Sequence, residues 1–365
     1  MPATTIPPVP HYEPAPVTQK DLDYADFPTI DISKAKTPEG RKEIAPVVRD
    51  AMRTYGFLYI VNHGLTDAEN ERMVDIADVP FTQVSEEEQK SFTGKIKEAG
   101  SYRGYKPRQF WTIDNGVRDQ IEHYNMHRPI FDQQHPNALQ PFLPELRAFT
   151  EHNHYNVLHP VLRLLALGLE LPEETFVNIH NFDAQGETYL RCMKYYPRTE
   201  DDEVKTKNVW MKGHTDIGTI SILWSQPVTA LQIMSPDGKW RHVRHIPTES
   251  CIVNAGDSME MLSGGYYKAT IHRVVQPPAD QRGYTRLGLF YFGTADDDVR
   301  LVPLKDSPVL QRVGITRKCE DKDAPTMGEW RVARTKVYGV SELQRKDAVV
   351  EEQVVLNGLV IKHYN

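Results

Sequence analysis

The feature that most constrains the fold of this chain is a change of texture near residue 185. Before it, apolar residues recur at helical spacing; after it, short β-like runs follow one another between turn residues. The runs fall at 189–196, 219–224, 230–234, 240–244, 250–254, 267–275 and 286–292, with Pro236-Asp237-Gly238 and Ser263-Gly264-Gly265 as turns. So many short strands at this spacing predict a double-sheet jelly roll rather than a βαβ sheet.

The first half supplies the helices. Residues 42–55 carry Ile44, Val47, Val48 and Ala51 on one face before Gly56 stops the helix, and Phe57 to Val61 is an unbroken apolar run suited to a buried strand. Residues 67–92 are helical in spacing, with Ser85-Glu86-Glu87-Glu88 as a helix start. The longest helical candidate is 143–169, which Pro160 is expected to bend or restart. The expected fold is α+β: a distorted double-stranded β-helix (jelly-roll) core with helices packed on one side and an N-terminal helical region. It divides into a loose, Pro-rich extended arm (1–26), a mostly helical region (27–184), the jelly-roll core (185–300) and a helical segment over the barrel mouth (301–365).

Charge and composition narrow the partners. A net charge of −7 over 365 residues and a pI near 6.1 argue against nucleic acid or an anionic membrane, which select for clustered Lys and Arg. A small-molecule ligand fits better, and nothing in the sequence sets an oligomeric state. Cys192, Cys251 and Cys319 have neither CxxC nor disulfide-framework spacing, as expected of thiols in a reducing compartment. Residues 1–20 lack the basic and apolar regions of a signal peptide, and no stretch approaches the roughly 20 apolar residues of a membrane span. The expectation is a soluble, cytoplasmic protein.

The chemistry concentrates in His214-Thr215-Asp216. On a strand, residues two apart emerge from one face, so the imidazole and carboxylate can reach one ion, and His272 supplies a second imidazole. Two His and one carboxylate leave open positions on a metal and suit non-haem iron(II). Alone, an HxD tripeptide with a distant His is a weak signal. Its flanks are stronger: His214-Thr215-Asp216-Ile217-Gly218, Leu231-Gln232, Trp240, Asn254-Ala255-Gly256-Asp257, Ser263, Gly265 and His272-Arg273-Val274 follow in one tight order. This string resembles the catalytic half of the 2-oxoglutarate and iron(II)-dependent oxygenases, in the isopenicillin N synthase-like branch. Pro28-Thr29-Ile30-Asp31, Tyr55-Gly56-Phe57, Val61-Asn62-His63-Gly64 and Arg103-Gly104-Tyr105 resemble the N-terminal region of the same branch.

The resemblance implies an enzyme that uses Fe(II), O₂ and the cosubstrate 2-oxoglutarate to oxidise a small organic molecule, releasing succinate and CO₂. Hydroxylation, desaturation and ring formation or expansion all stay open. It makes His214, Asp216 and His272 both the metal ligands and the catalytic centre. A dianionic 2-oxo acid also needs a cation for its far carboxylate, and the planar fork of arginine binds one bidentately. Arg286 begins a strand whose inner face carries 286, 288, 290 and 292, and it stands at the position of the family's carboxylate-binding arginine. Tyr196 matches a family tyrosine aimed at this pocket, and Lys194 stands where many relatives have asparagine. Gly288 departs from the family, which has a serine there. The departure keeps open an isopenicillin N synthase-like oxidase that needs no 2-oxo acid, and beyond it a non-catalytic ligand-binding jelly roll.

Phe292, sharing the inner face with Arg286, leads the expected substrate lining, with Tyr105, Phe110, Trp111 and Tyr124 as further candidates. The resemblance makes His63 part of a structural turn. His152 and His154, two apart in a helical region, face different ways and are expected at the surface or as caps.

Overall fold

Alternation along a strand sorts side chains to two faces, and the computed structural model of the protein shows what each face meets. It describes residues 6–247, 250–337, 344–345, 350–356 and 359–364. In chain order the strands are β1 (Thr29–Asp31), β2 (Phe57–Val61), β3 (Gly104–Lys106), β4 (Thr112–Asp114), β5 (Val117–Arg118), β6 (Ile121–His127), β7 (Tyr189–Tyr195), β8 (Val209–His214), β9 (Ile220–Trp224), β10 (Leu231–Met234), β11 (Trp240–His242), β12 (Ser250–Ala255), β13 (His272–Val275), β14 (Arg286–Gly293), β15 (Gln344–Arg345), β16 (Val350–Val354) and β17 (Val360–Tyr364). The larger sheet runs β1-β2-β12-β9-β14-β7-β6-β3 and the smaller β11-β10-β13-β8-β17-β16-β15, while β4 and β5 form a separate hairpin.

The larger sheet is apolar on both faces. Leu58, Ile60, Cys192, Ile222, Val253 and Tyr291 point into a core shared with the helices. Their strand neighbours Phe57, Tyr59, Met193, Leu223 and Ile252 belong to a second core, together with Met211, Leu231 and Val274 of the smaller sheet. The helix layer therefore covers one face of the jelly roll, as expected. Its main members begin on side-chain caps: Thr37 accepts from Gly40 N ahead of the helix Pro38–Thr54, and Thr66 forms a capping box with Glu69 ahead of Asp67–Thr82. Helices Leu143–His152 and His159–Gly168 are joined by a π-helical stretch, Asn153–Leu158. It lies just ahead of Pro160, which brings no N–H to the helical ladder; the backbone widens there instead of restarting. His154 is buried in this stretch and bonds Tyr291 Oη (2.9 Å) and the His180 carbonyl (3.0 Å), so it is neither a surface nor a capping residue.

Other expectations are corrected. Residue 185 is no structural boundary, since β1, β2, β3 and β6 come from before it and complete the larger sheet. The arm is extended but not loose: Tyr12 N donates to Asp75 (2.8 Å), Thr18 Oγ1 to Asp280 (2.8 Å), and Ala15 is buried. The segment 301–365 is only partly helical. It holds the helices Pro308–Val313 and Met327–Val337, but then β15, β16 and β17, with Tyr364 of β17 paired to Gly213 of β8. Val360-Ile361-Lys362-His363-Tyr364 is rich in β-branched and aromatic residues, and β8 offers an edge to pair with.

Gly256 ties fold to site. A Cβ there would lie 2.4 Å from the Gly218 carbonyl oxygen and 2.9 Å from that of Asp216, both backbone atoms. Gly256→Ala is expected to cost about 1–3 kcal/mol by overpacking and to displace the loop carrying Asp216. Denaturant unfolding, with Fe(II) titration of the refolded variant, checks this; wild-type stability and metal affinity would contradict it.

Candidate active site

His272 of β13 is the cross-strand partner of His214 of β8, with a register shift just beyond the pair. The two rings lie with their centroids 4.5 Å apart. Asp216 Oδ1 lies 3.9 Å from His214 Nε2 and 3.7 Å from His272 Nε2, and all three ligand atoms fall within 4.8 Å of one another. The proton positions follow from the backbone: His214 Nδ1 is 2.8 Å from the Lys212 carbonyl and His272 Nδ1 is 3.1 Å from that of Thr270. Carbonyls only accept, so each Nδ1 carries the proton and each Nε2 turns a lone pair to the shared centre.

Asp216 is not on the strand, as the HxD reading supposed; β8 ends at His214 and the carboxylate sits on the following loop. That loop is held carbonyl by carbonyl. Arg334 Nη2 donates to Thr215 O (3.1 Å), Asp257 N to Asp216 O (2.8 Å), Ser258 Oγ to Ile217 O (2.7 Å) and Ser258 N to Gly218 O (3.1 Å). Asp257 itself accepts from Thr215 Oγ1 (3.1 Å), Lys318 Nζ (3.2 Å) and Arg334. The Asp216 carboxylate takes Ser221 Oγ (2.6 Å) and Asn254 Nδ2 (2.8 Å) on Oδ2, leaving Oδ1 toward the imidazoles. Burial opposes its charge, but the two histidines and these hydrogen bonds outweigh it and hold the carboxyl below its ordinary range.

Beside the triad lies a cavity lined by Met193, Tyr195, Leu231, Asn254, Arg286 and Phe290. Arg286 is 1% exposed, and its Nε and Nη1 have no hydrogen-bond partner among the described residues. Burial pushes the guanidinium down from its ordinary range, with Tyr195 and Tyr12 acting in the opposite sense. The Tyr195 ring packs under it at 5.1 Å. A buried cation without an anion is strongly disfavoured unless a ligand completes it, so the site fits a group that brings a carboxylate. The Gly288 position holds no side chain because the Phe290 ring occupies it; a Cβ would lie 2.6 Å from Phe290 Cε2.

Lys194 and Tyr196 do not reach this cavity. Tyr195, Met193 and Arg191 pair with Arg286, Gly288 and Phe290 of β14 and share their inner face. Lys194 and Tyr196 lie one step out of phase, on the helix side. Lys194 Nζ bonds Asp78 at 2.6 Å, and Tyr196 Oη donates to Glu122. The inward tyrosine is Tyr195.

A second cavity adjoins the first at His214, Asp216, Met211, Arg191 and Phe292. Phe292 and Trp111 line it, with Tyr102 and Tyr189. Tyr105 and Tyr124 do not: they pair with each other across β3 and β6 on the helix face, where Tyr105 Oη donates to Pro80 O (3.0 Å) and Tyr124 Oη meets His135 Nδ1 (2.8 Å). Phe110 packs at the edge of the barrel core and is not among the residues lining either cavity. Sequence reading missed Arg191. Buried at 7% exposure, its guanidinium bonds Asn125 Oδ1 (2.7 Å) and Tyr189 Oη (3.3 Å), lies 4.9 Å from the Phe292 ring, and has no carboxylate in ion-pair range among the described residues. The cross-strand pairing Phe290↔Arg191 is the signal that finds it.

Comparison with known proteins agrees with this geometry. Residues 187–294 match the model of the 2OG-Fe(II) oxygenase superfamily, and residues 27–145 match that of the N-terminal region of non-haem dioxygenases in morphine synthesis. Among curated relatives, homoarginine-6-hydroxylase 2-ODD-233 of Oryza sativa subsp. japonica is 24% identical over 78% of this chain and 90% of its own length. The 2-oxoglutarate-Fe(II) type oxidoreductase hxnY of Emericella nidulans is 26% identical over 79% and 83%. A full-length Neurospora crassa protein solved in complex with alpha-KG shares the fold, with a TM-score of 0.72 at 24% identity over 88% of this chain and 99% of that one; it has also been crystallised with alpha-KG and thymine. On these matches and its own jelly-roll site, the chain belongs to the 2-oxoglutarate and iron(II)-dependent oxygenase superfamily and is an Fe(II)/2-oxoglutarate-dependent dioxygenase acting on a small organic molecule.

Proposed function

We propose that His214, Asp216 and His272 hold the Fe(II), that Arg286 over Tyr195 anchors the far carboxylate of 2-oxoglutarate, and that the substrate is a planar small molecule with an anionic or strongly accepting oxygen, bound between Phe292, Trp111 and Tyr189 and met by Arg191. Bound Fe(II) supplies O₂ activation coupled to conversion of 2-oxoglutarate to succinate and CO₂. The chain's own groups orient. Ser221 and Asn254 aim Asp216, the Lys212 and Thr270 carbonyls fix the histidine tautomers, and the aromatic walls exclude water. The observation that carries the cosubstrate assignment is the unpartnered, buried Arg286 guanidinium. A buried cation beside the triad suits a dianion that chelates at one end and pairs a carboxylate at the other, which favours the cosubstrate-dependent reading. Arg191 carries the substrate class by the same logic: an uncompensated cation among aromatic rings selects a flat anion or carbonyl. No helix among the described residues is long and apolar enough to cross a membrane; free thiols at Cys192, Cys251 and Cys319 favour a reducing, cytoplasmic setting.

Arg286→Ala is expected to raise the 2-oxoglutarate KM by about two orders of magnitude or more, since breaking a buried charge pair costs about 3–5 kcal/mol. Steady-state succinate release against 2-oxoglutarate concentration checks it, and an unchanged KM would overturn the anchor. For the substrate, planar molecules bearing a carboxylate or carbonyl oxygen are expected to stimulate succinate release where analogues of the same ring lacking that oxygen do not. Equal stimulation with and without the oxygen would remove Arg191 from recognition.

A further inference from the structure

Gly288, two residues from Arg286 on the same face of β14, offers no hydroxyl, and the Phe290 ring fills the space where a side chain at 288 would stand. Behind the iron-side cavity, and sharing Leu223, Leu231, Ile252 and Arg286 with it, lies a smaller cavity walled by the stretch Leu223–Leu231 and by Val243–His245. Two of its lining residues carry hydroxyls. Ser225 Oγ is engaged with His245 Nδ1 at 2.7 Å. Thr229 is 3% exposed, and its Oγ1 has no hydrogen-bond partner among the described residues. Nearby phenols are committed elsewhere: Tyr12 Oη donates to Thr285 O (3.3 Å) and Tyr196 Oη to Glu122, while Tyr195 Oη lies against the sulfurs of Met193 and Met211.

We propose, resting on the cosubstrate assignment above, that Thr229 is a 2-oxoglutarate-binding residue whose hydroxyl donates to the far carboxylate held by Arg286. A buried hydroxyl without a partner and a buried guanidinium without a partner line one cavity. A carboxylate satisfies both at once, taking the arginine fork on one side and an O–H on the other. The backbone at 229 is fixed independently of the hydroxyl. Gln281 Oε1 accepts from Thr229 N (2.8 Å), and Val275 N donates to the neighbouring Ala230 carbonyl (2.9 Å). The hydroxyl is therefore held at the cavity wall without being consumed by a cap or turn.

The test is calorimetric binding to the anaerobic Fe(II)-loaded protein, which reads affinity without turnover. Wild type, Thr229→Val and Thr229→Ser are titrated with 2-oxoglutarate and with 2-oxopentanoate, which keeps the chain and the keto acid but lacks the far carboxylate. Valine matches threonine in shape, so the fold is retained at this buried position. Thr229→Val is expected to weaken 2-oxoglutarate about tenfold or more, the loss of one hydrogen bond to a charge, with 2-oxopentanoate unchanged and Thr229→Ser close to wild type. If Thr229→Val binds 2-oxoglutarate like wild type, or weakens both acids equally, the proposal is overturned while the Arg286 anchor stands. Failure of wild type to bind 2-oxoglutarate would overturn the cosubstrate assignment and this proposal together.

Discussion

Everything at this site depends on the pairing of β13 with β8. That register sets His272 opposite His214, and a slip of one residue would turn one imidazole out of the barrel. The third member, Asp216, hangs from a loop with no strand to fix it, so its position is set by hydrogen bonds. The first N–H groups of the helix Asp257–Leu262 cap the loop's carbonyls, and Arg334 and Trp330 of the helix Met327–Val337 hold it from the other side. Gly256, where a Cβ would strike the loop, is the close approach that makes this possible. The helix Met327–Val337 is thus a support of the loop carrying Asp216 as well as a wall of the second cavity, which Arg331, Arg334 and Thr335 line.

The second constraint is electrostatic. Three of the buried cations here are neutralised, Lys106 by Asp119, Lys194 by Asp78 and Arg334 by Asp257, and Arg128 is satisfied in part by the carbonyls of Phe182 and Ala184. Lys106 is still pushed down to about 8, because burial outweighs its carboxylate partner. Arg286 and Arg191 lack such partners among the described residues, and both face cavities beside the triad. Leaving charge unbalanced there is a cost to the empty fold that an anionic ligand removes, which turns ligand charge into binding selectivity. In the proposed assignment the two cations have separate tasks, Arg286 for the cosubstrate's far end and Arg191, among aromatic rings, for the substrate.

The sequence carried the jelly roll, the helix layer and the triad. Their signals are redundant: turn residues between short runs, helix caps, and a long ordered string around His214 and His272. It failed where a strand is buried on both faces. All seven residues of β7 are buried, so no polar–apolar alternation marks which of Tyr195 and Tyr196 points inward, and the family match chose the wrong one. The same ambiguity in β6, packed between the barrel and the helices, misplaced Tyr124 and with it Tyr105. The strand Val209–His214 was not separately recognised because Val-Trp-Met-Lys-Gly-His has no period of two. Arg191 becomes visible only through its cross-strand pairing with Phe290, and Thr229 only when partners are counted, since the absence of a partner leaves no trace in sequence.

The central claim is that one iron site, shaped by the triad and completed by a buried arginine, receives a 2-oxo acid as a chelating ligand. The most direct measurement is an anaerobic titration of the Fe(II)-loaded protein with 2-oxoglutarate, followed by visible absorption. A saturable metal-to-ligand charge-transfer band is expected at one equivalent of iron per chain, lost in His272→Ala. A protein that binds Fe(II) at the triad yet develops no such band at any 2-oxoglutarate concentration would contradict it.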